Sequence, residues 1–584
     1  MAESIISPGV YTRENDISYI QPAPIAAGAA FIGPTVKGPI NQPTIVTSYS
    51  NYVRTFGDTF EHELANKEFL TSLAVKSYFQ NGGQTALVTR VVGTESAYDG
   101  ATNTIIDTIG NGENPFELET LGKGAVYNNA IASGSAKAGG ASYINSDGSL
   151  VSGSVDNLRW EIANVNKGLG TFSLLIRQGT DSTKNKTVLE TFNGLSLDPN
   201  SDNYIENVIG NQSITYSNST LANMVSGEYP NKSNYIRVSA VTSLTPNYLA
   251  NDGVTVNKDS LNSSYSGSLP QSGSGSFYGG TGKVSSNAAF FKDIVSGTNV
   301  QGLTSSDYTK AINLLSNKDE FQFNIISAPG IIGENNSAVV DKIIALAEER
   351  GDCIAVVDLV NYETSVGDVA LEAIKLNTSY AATYWPWLQV RSATGKNEWV
   401  PAGTVIPGVY AFTDASSAPW FAPAGLVRGG IGGVIQAERK LTKGERDTLY
   451  GSKVNPIATF PGTGISVFGQ KTLQTKASAL DRVNVRRLLI ELKKFIGDQA
   501  RNLVFEQNTV STRNKFLATV NPYLESVVQR QGLYAYRVVM DDTNNTADVV
   551  DRNQLVGQIF IQPAKTIEFV VLDFTIEPTG ATFG

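Results

Sequence analysis

The 584-residue sequence has one cysteine, one histidine and three methionines. A lone Cys353 cannot close an internal disulfide or supply a multi-cysteine zinc site. A lone His62 rules out a histidine-rich metal centre and gives any histidine mechanism a single residue to use. His62 stands between Glu61 and Glu63 and reads as a solvated surface side chain. Cationic residues are also in deficit, with 45 Lys and Arg against 54 Asp and Glu, a formal charge of -9, and no basic run. Nucleic-acid affinity comes largely from phosphate neutralisation, so direct nucleic-acid binding is not expected. No apolar run approaches the ~18 residues of a membrane span, so no membrane insertion is expected. The opening MAESIISPGV lacks the basic-then-apolar pattern of a secretory signal. The Asn-x-Ser/Thr triplets at Asn211 and Asn544 therefore read as chance matches, and the expected setting is a cytoplasm or release by lysis.

What is present divides into three zones. Length alone argues for about three or four domains. Residues 1–95 are apolar with Pro and Gly punctuation, residues 96–300 are rich in Gly, Ser, Asn and Thr, and residues 300–584 return to a mixed globular composition. The start, through Pro22, has no helical period and reads as an extended arm. Ala29 to Gly33 and Thr85 to Val92 read as strands, Ser48 as the cap of a helix closed by Gly57, and Asn66 to Phe79 as a second helix. In the middle zone, Leu158–Ile162, Phe172–Arg177 and Val188–Phe192 are strand candidates of a β-rich lobe. Residues 261–280 hold seven Ser and five Gly and read as a mobile loop. In the last zone, Phe321–Ile326 is a strand expected to stop at Pro329–Gly330. A Ser337-capped helix runs to Arg350, and Cys353–Leu359 is a further strand. That order implies a right-handed crossover and a mostly parallel sheet. Val366–Lys375 reads as a helix and Ala381–Trp385 as a strand. Helices follow at Asn484–Ile496 and about Thr512–Gln531, the latter bent at Pro522. Tyr534–Met540, Val556–Ile561 and Ile567–Phe574 read as closing strands.

Chemistry is hard to find. The phosphate-loop pattern fails around Gly282–Lys283, where Val284 follows the lysine, and Gly429–Gly433 lacks dinucleotide spacing. There is no nucleophile elbow and no zinc-protease motif. Cys353 heads an apolar strand and reads as buried and inert. Asp358 ends a parallel strand, where ligand-binding acids sit in open α/β sheets, but no Gly-rich loop partners it, so a structural turn acid is the better reading. The expectation is no enzyme, no cofactor and no metal.

Several stretches carry a resemblance. They include Ser7–Pro8–Gly9–Val10–Tyr11, Phe31–Ile32–Gly33, Lys37–Gly38–Pro39, Val188–Phe192 with Leu195–Pro199, and Tyr384–Trp385–Pro386–Trp387. Pro407–Ala411, Trp420–Gly425, Asn455–Pro456–Ile457 and Gly469–Thr472 follow in order. The most specific are Asp481–Leu488, Asp541–Thr546 and Gln562–Pro563–Ala564. In this order they resemble the tail sheath proteins of contractile-tailed bacteriophages, of myovirus type. Residues of about 96–155 and 211–300 match little.

The resemblance implies a structural subunit forming hexameric rings stacked helically around a tail tube. The sheath contracts from a metastable extended state to drive the tube through the host envelope without nucleotide consumption. Its implied partners are itself, the tail tube protein, and baseplate and tail terminator proteins. Its implied place is the virion tail, after assembly in the host cytoplasm. The expected fold is a multidomain α+β and α/β arrangement. An inner α/β body is built from both chain ends, with β-rich inserted outer domains and extended terminal arms. The expected divisions are an arm at 1–22, a middle domain of 23–95 plus 301–424, inserted domains at 96–300, and a C-terminal core at 425–584. Sheath subunits resemble one another in lending both termini to neighbouring sheets. The expected inter-subunit arms are therefore Ile5, Ile6, Pro8, Val10 and Tyr11, and Ile567, Phe569, Val570, Val571 and Leu572. Arg486, Arg487, Lys493, Lys494, Arg513 and Lys515 are candidates to face an acidic tube, with salt bridges inside the subunit as the alternative. The sheath of a bacterial contractile injection particle fits the same pattern. An α/β enzyme would need a nucleophile–base pair or a cofactor loop, and neither is found, while a carbohydrate-binding adhesin is a third alternative favoured by the Gly/Ser/Asn-rich β lobes of 96–300.

Overall fold

The apolar runs of the first and third zones meet in one sheet. A computed structural model describes residues 25–62, 65–93, 98–110, 114–129, 144–250, 254–257, 265–282 and 303–568. Its large sheet contains β1 (Ile25–Gly33), β2 (Thr44–Val46), β3 (Ala86–Arg90), β4 (Phe321–Ile332), β5 (Ile354–Asp358), β6 (Ala381–Trp385), β7 (Val454–Phe460) and β8 (Gly464–Val467). The spatial order is β2-β3-β1-β4-β5-β6-β7-β8. The six inner strands are parallel, and β2 and β8 close the edges antiparallel. Parallel strands need cover on both faces, which explains their unbroken apolar runs. Alternation along β5 shows the division. Ala355 and Val357 join the core beneath the helices Ser305–Leu314 and Gly333–Arg350. Ile354 and Val356 join the core beneath Tyr49–Phe56, Leu70–Gln80 and Ile406–Ser416. Cys353 is buried in the first core, and burial pushes its thiol pKa up.

Residues between β3 and β4 leave this sheet and build another. Seven antiparallel strands run in the order Val188–Ser196, Thr171–Gln178, Leu158–Asn166, Gly273–Tyr278, Gly100–Asn103, Phe116–Lys123 and Ile236–Val241. Trp160, Phe172, Leu174, Phe116 and Phe277 fill its core. The two edge strands are drawn together by Glu190, whose carboxylate accepts from Ser233 Oγ at 2.6 Å and Asn234 N at 2.9 Å. Two buried arginines share one buried carboxylate: Arg159 reaches Asp181 at 3.1 Å and Arg177 reaches it at 2.6 Å.

Several expectations need correction. Within the stretch 261–280 read as a mobile loop, Gly273–Tyr278 is the central strand of the seven-stranded sheet. Its small residues serve close packing: a Cβ on Gly275 would lie 2.3 Å from Thr104 Oγ1 and 2.5 Å from Trp160 Cζ2. β4 does not stop at Pro329–Gly330. It shifts register between Ser327 and Ile332, with Gly330 at φ 90°, and Ile332 pairs with Asp358. The helix expected from Asn66 begins at Leu70, because Ala65–Glu68 pairs with Thr59–His62 as a hairpin. The helix expected from Ala338 begins at Gly333 and is kinked at Asn336, so the Ser337 signal marks the turn after the kink. β7 and β8 complete the large sheet although they lie beyond residue 424, so a boundary at 424/425 would cut that sheet.

The C-terminal part has a core of its own. Helices Val483–Arg501 and Val510–Gln529 pack Leu488, Leu492, Phe516, Val520, Leu524 and Val527 together. The first extends beyond its sequence-based bounds, the second is shifted two residues toward the N-terminus, and Pro522 lies inside the second. Trp420 joins this core to the large sheet region, donating from Nε1 to Arg530 O at 3.1 Å beneath the Arg530 guanidinium.

Candidate functional site

The feature of the C-terminal region with most capacity for partners is a two-stranded sheet. Leu533–Val539 and Gln558–Pro563 pair antiparallel, and among the described residues no third strand joins them. Alternation divides the hairpin into two faces. Tyr536, Val538, Ile559 and Ile561 turn toward the C-terminal core, and Tyr536 Oη donates to Asn521 O at 3.1 Å. Arg537, Gln558 and Gln562 are exposed on the other face, with Tyr534 66% and Phe560 56% exposed. An isolated hairpin is marginal in water, so this one depends on the helix beneath it. With no described strand on either outer edge, its main-chain donors and acceptors have the chemistry of strand addition.

Two of the motifs singled out in the sequence shape this hairpin. In Asp541–Thr546, Asn544 Oδ1 accepts from Asp541 N at 3.0 Å while its Nδ2 donates to Val539 O at 2.7 Å. Asn545, nearly fully buried, donates to Asp541 O and Val556 O and accepts from Val556 N at 2.8 Å. The motif therefore fixes the connection between the two strands. Gln562–Pro563–Ala564 ends the second strand, where Ala564 N donates to Gly532 O at 3.1 Å. Sequence reading found these motifs but not the hairpin's two open edges. Strand patterns alone do not say which strands are left without neighbours.

The candidate tube-facing cations separate into two groups. Arg486, Arg487 and Arg513 are 4%, 3% and 6% exposed, so the subunit itself uses them. Arg486 donates to Ser379 Oγ at 2.5 Å and lies over the Tyr380 ring, and burial lowers its pKa. Arg487 pairs with Asp414 at 2.5 Å over the Tyr410 ring. Burial works against its charge, but Asp414 outweighs that and its pKa rises. Arg513 pairs with Asp542 at 2.6 Å and so ties the hairpin connection to the helix below. The helix period misled here because Arg486 and Arg487 meet the large sheet region rather than solvent. Lys493 and Lys515 are exposed and Lys494 is half-buried. Lys493 and Lys494 line a cleft with Glu348, Glu349 and Asp498, and Lys493 reaches Tyr380 Oη at 3.4 Å.

Of the candidate arm residues, only Ile567 is described. It is 80% exposed in an irregular segment, not in a strand. Ile5, Ile6, Pro8, Val10 and Tyr11, and Phe569, Val570, Val571 and Leu572, lie outside the described residues. Asp358 is buried at the end of β5, and burial pushes its carboxyl up to about 7 despite a 2.7 Å hydrogen bond from Gly403 N. A Cβ on Gly403 would lie 2.5 Å from the carboxylate, which leaves little room for a ligand. Among the described residues no group of His, Cys, Asp and Glu could hold a metal, and no helix is long and apolar enough to cross a membrane.

Open strand edges are places where a further strand can add. Comparison with known proteins gives this region a family likeness. Residues 301–473 match the phage tail sheath protein central domain, and residues 475–577 match the phage tail sheath C-terminal domain. Residues 301–577 thus match two domains of the phage tail sheath family in succession. The tail sheath protein of Vibrio phage KVP40 is 34% identical over 303 residues, 47% of this chain and 45% of the relative. That of Enterobacteria phage T4 is 33% identical over 302 residues, 48% of this chain and 46% of the relative. The chain thus spans about half the length of the curated relatives it matches. The crystal structure of the sheath tail protein from Listeria innocua shares the fold, with a TM-score of 0.51 at 12% identity over 92% of this chain and 95% of that one.

Proposed function

We propose that the protein is a structural tail sheath subunit, not an enzyme, which polymerises with copies of itself as hexameric rings stacked around a tail tube. The sheath contracts from a metastable extended state and drives the tube through the host envelope, with baseplate and terminator proteins at its ends. The subunit is a virion tail component assembled in the host cytoplasm. The observation that carries this reading is the open-edged hairpin inside the region that matches the sheath C-terminal domain. The arms at 1–22 and 569–584 supply the missing strands in neighbouring subunits. Each main-chain hydrogen bond so made contributes about 0.5–1.5 kcal/mol, and an edge of this length takes several. Such bonds survive rotation of the subunit bodies because strand addition is local to the hairpin. Work then comes from the difference between two packings of the same joined subunits. The large sheet with the C-terminal core forms the inner body, and the seven-stranded sheet lies outward. Of the six candidate cations, the tube contact falls to Lys493, Lys494 and Lys515.

The test is deletion of residues 1–12, followed by negative-stain electron microscopy of the subunit with its tube. The expected result is a soluble subunit that forms no ordered sheath. Normal sheaths from the deleted chain would overturn the joint, and absence of the protein from purified virions would overturn the whole reading.

A further inference from the structure

Beyond the hairpin, the chain runs from Ala564 to Glu568 with no regular secondary structure, and Lys565, Thr566 and Ile567 are exposed. An exposed coil at this place would ordinarily fray, because ordering each residue costs about 1–2 kcal/mol of backbone entropy. Instead, its last described residue is held from two directions. Arg482 Nε donates to Glu568 Oε1 at 2.7 Å and Arg482 Nη2 to Oε2 at 3.1 Å, a bidentate fork. Gln470 Nε2 donates to Oε1 at 3.1 Å, and the Tyr450 ring centre lies 5.9 Å from the Arg482 guanidinium carbon. Two residues earlier, Asn484 Nδ2 donates to Thr566 Oγ1 at 3.1 Å. The Glu568 side chain is only 16% exposed.

The elements that supply these donors are themselves tied to the large sheet. Val483 N donates to Gln470 O at 2.8 Å. The neighbouring Lys471 N donates at 2.6 Å to Oδ1 of Asn455, which lies in β7 and is fully buried. Asn455 Nδ2 in turn donates to Thr383 O in β6 at 3.1 Å. A connected path therefore runs from Glu568 through Arg482 and Gln470 to β7 and β6, the last two parallel strands of the large sheet. It does not pass through the hairpin.

We infer that Arg482 and Gln470 form an anchor for the C-terminal segment, gripping Glu568 so that pull on residues 569–584 passes to the large sheet and not to the hairpin. This rests on the reading of those residues as an inter-subunit arm, and adds the site where the subunit holds its own end of the joint. It also explains the Asp481–Arg482–Val483–Asn484 motif: Arg482 and Asn484 are the gripping residues, and Asp481 pairs with Arg482 at 2.9 Å. Without the anchor, tension from a neighbour would peel the second strand of the hairpin from its end. The hairpin could not then accept a strand and lend one at the same time.

The test compares Glu568→Gln, Arg482→Lys and a chain truncated after Glu568, each in the full subunit assembled on its tube. Glu568→Gln is expected to leave the subunit's melting transition unchanged. It should speed amide exchange over 564–568 and raise the rate of sheath disassembly in urea about tenfold, the scale of one lost charge-assisted hydrogen bond. Arg482→Lys keeps the charge but loses the fork, and is expected to fall between wild type and Glu568→Gln. Wild-type exchange and disassembly in Glu568→Gln would overturn the anchor. If the truncated chain forms no sheath while Glu568→Gln behaves as wild type, the anchor fails and the arm stands. If the truncated chain forms normal sheaths, the C-terminal arm reading fails and the anchor with it.

Discussion

Replacing Asp414 by Asn puts the structural reading of Arg487 at risk. The guanidinium is 3% exposed, donates to Asp414 Oδ2 at 2.5 Å and lies 4.7 Å from the centre of the Tyr410 ring. Tyr410 is itself fixed by a 2.6 Å hydroxyl–hydroxyl bond to Tyr384. Asn keeps the shape of Asp but removes its charge and leaves a buried cation with no counter-ion. Two unit charges ~4 Å apart attract by about 4 kcal/mol at an effective dielectric constant near 20. Because Asp414 is 28% exposed, solvent screens part of this. The expected loss is about 3 kcal/mol, at the low end for a broken buried pair. At roughly 1 °C per kcal/mol for a cooperative body of about 400 residues, the melting transition should fall by about 3–4 °C. Arg487→Met is the control. It removes the cation, keeps apolar volume against Tyr410, and leaves a carboxylate that water can reach, so it should cost less, about 1–2 kcal/mol. Calorimetry of the purified subunit reads both variants. Should Asp414→Asn melt within about 1 °C of wild type, or Arg487→Met prove the worse of the two, the pair does not hold the C-terminal helix to the sheet region.

Other outcomes follow from the same structure. Asp181→Asn removes the one carboxylate shared by Arg159 and Arg177 and should destabilise the seven-stranded sheet by ~3 kcal/mol or more. Limited proteolysis should then cut within 144–282 while the large sheet stays intact. Asp358 has its carboxyl pushed up to about 7 by burial, so the folded chain holds a proton that the unfolded chain releases from about pH 4 upward. The stability this proton contributes is full below about pH 4 and is lost as pH rises through about 7. Asp358→Asn should therefore show a melting temperature that depends less on pH between 4.5 and 7.5, and should gain most over wild type at the upper end. Charge reversal at Lys493 and Lys494, which are not buried as Arg486 and Arg487 are, should weaken co-sedimentation with the tube without lowering the subunit's melting temperature. Unchanged co-sedimentation would remove them from the tube contact.

How far the sequence reached depended on the kind of signal. Local chemistry was legible: Ser48 does accept from Asn51 N at the start of its helix, and Gly57 does end it at φ 69°. The apolar runs 354–358 and 381–385 announced buried parallel strands. Gly273–Tyr278 was illegible because a strand packed under Trp160 needs small residues, and small residues also compose loops. Arg486, Arg487 and Arg513 were misplaced for a related reason. A long cation on a helix looks solvated unless its partners Ser379, Asp414 and Asp542 are known, and these come from distant parts of the chain. The open hairpin could not be read at all, since sheet membership is a property of the whole topology.

The seven-stranded sheet leaves and rejoins the chain between β3 and β4, two strands that are separated only by β1. Such an excursion makes the chain a natural carrier. The segment 98–282 is a candidate for exchange with a foreign domain of choice, which a polymer of subunits would then display in a regular array. One residue sets the terms of that graft. Arg90, fully buried, ends β3 with its guanidinium donating at 2.7 Å to Gly38 O on the sheet side and at 2.7 Å to Lys123 O on the side to be removed. A replacement that drops Lys123 leaves that guanidinium short of an acceptor in a dry site. The graft should therefore keep a carbonyl there, or change Arg90 to Met along with it.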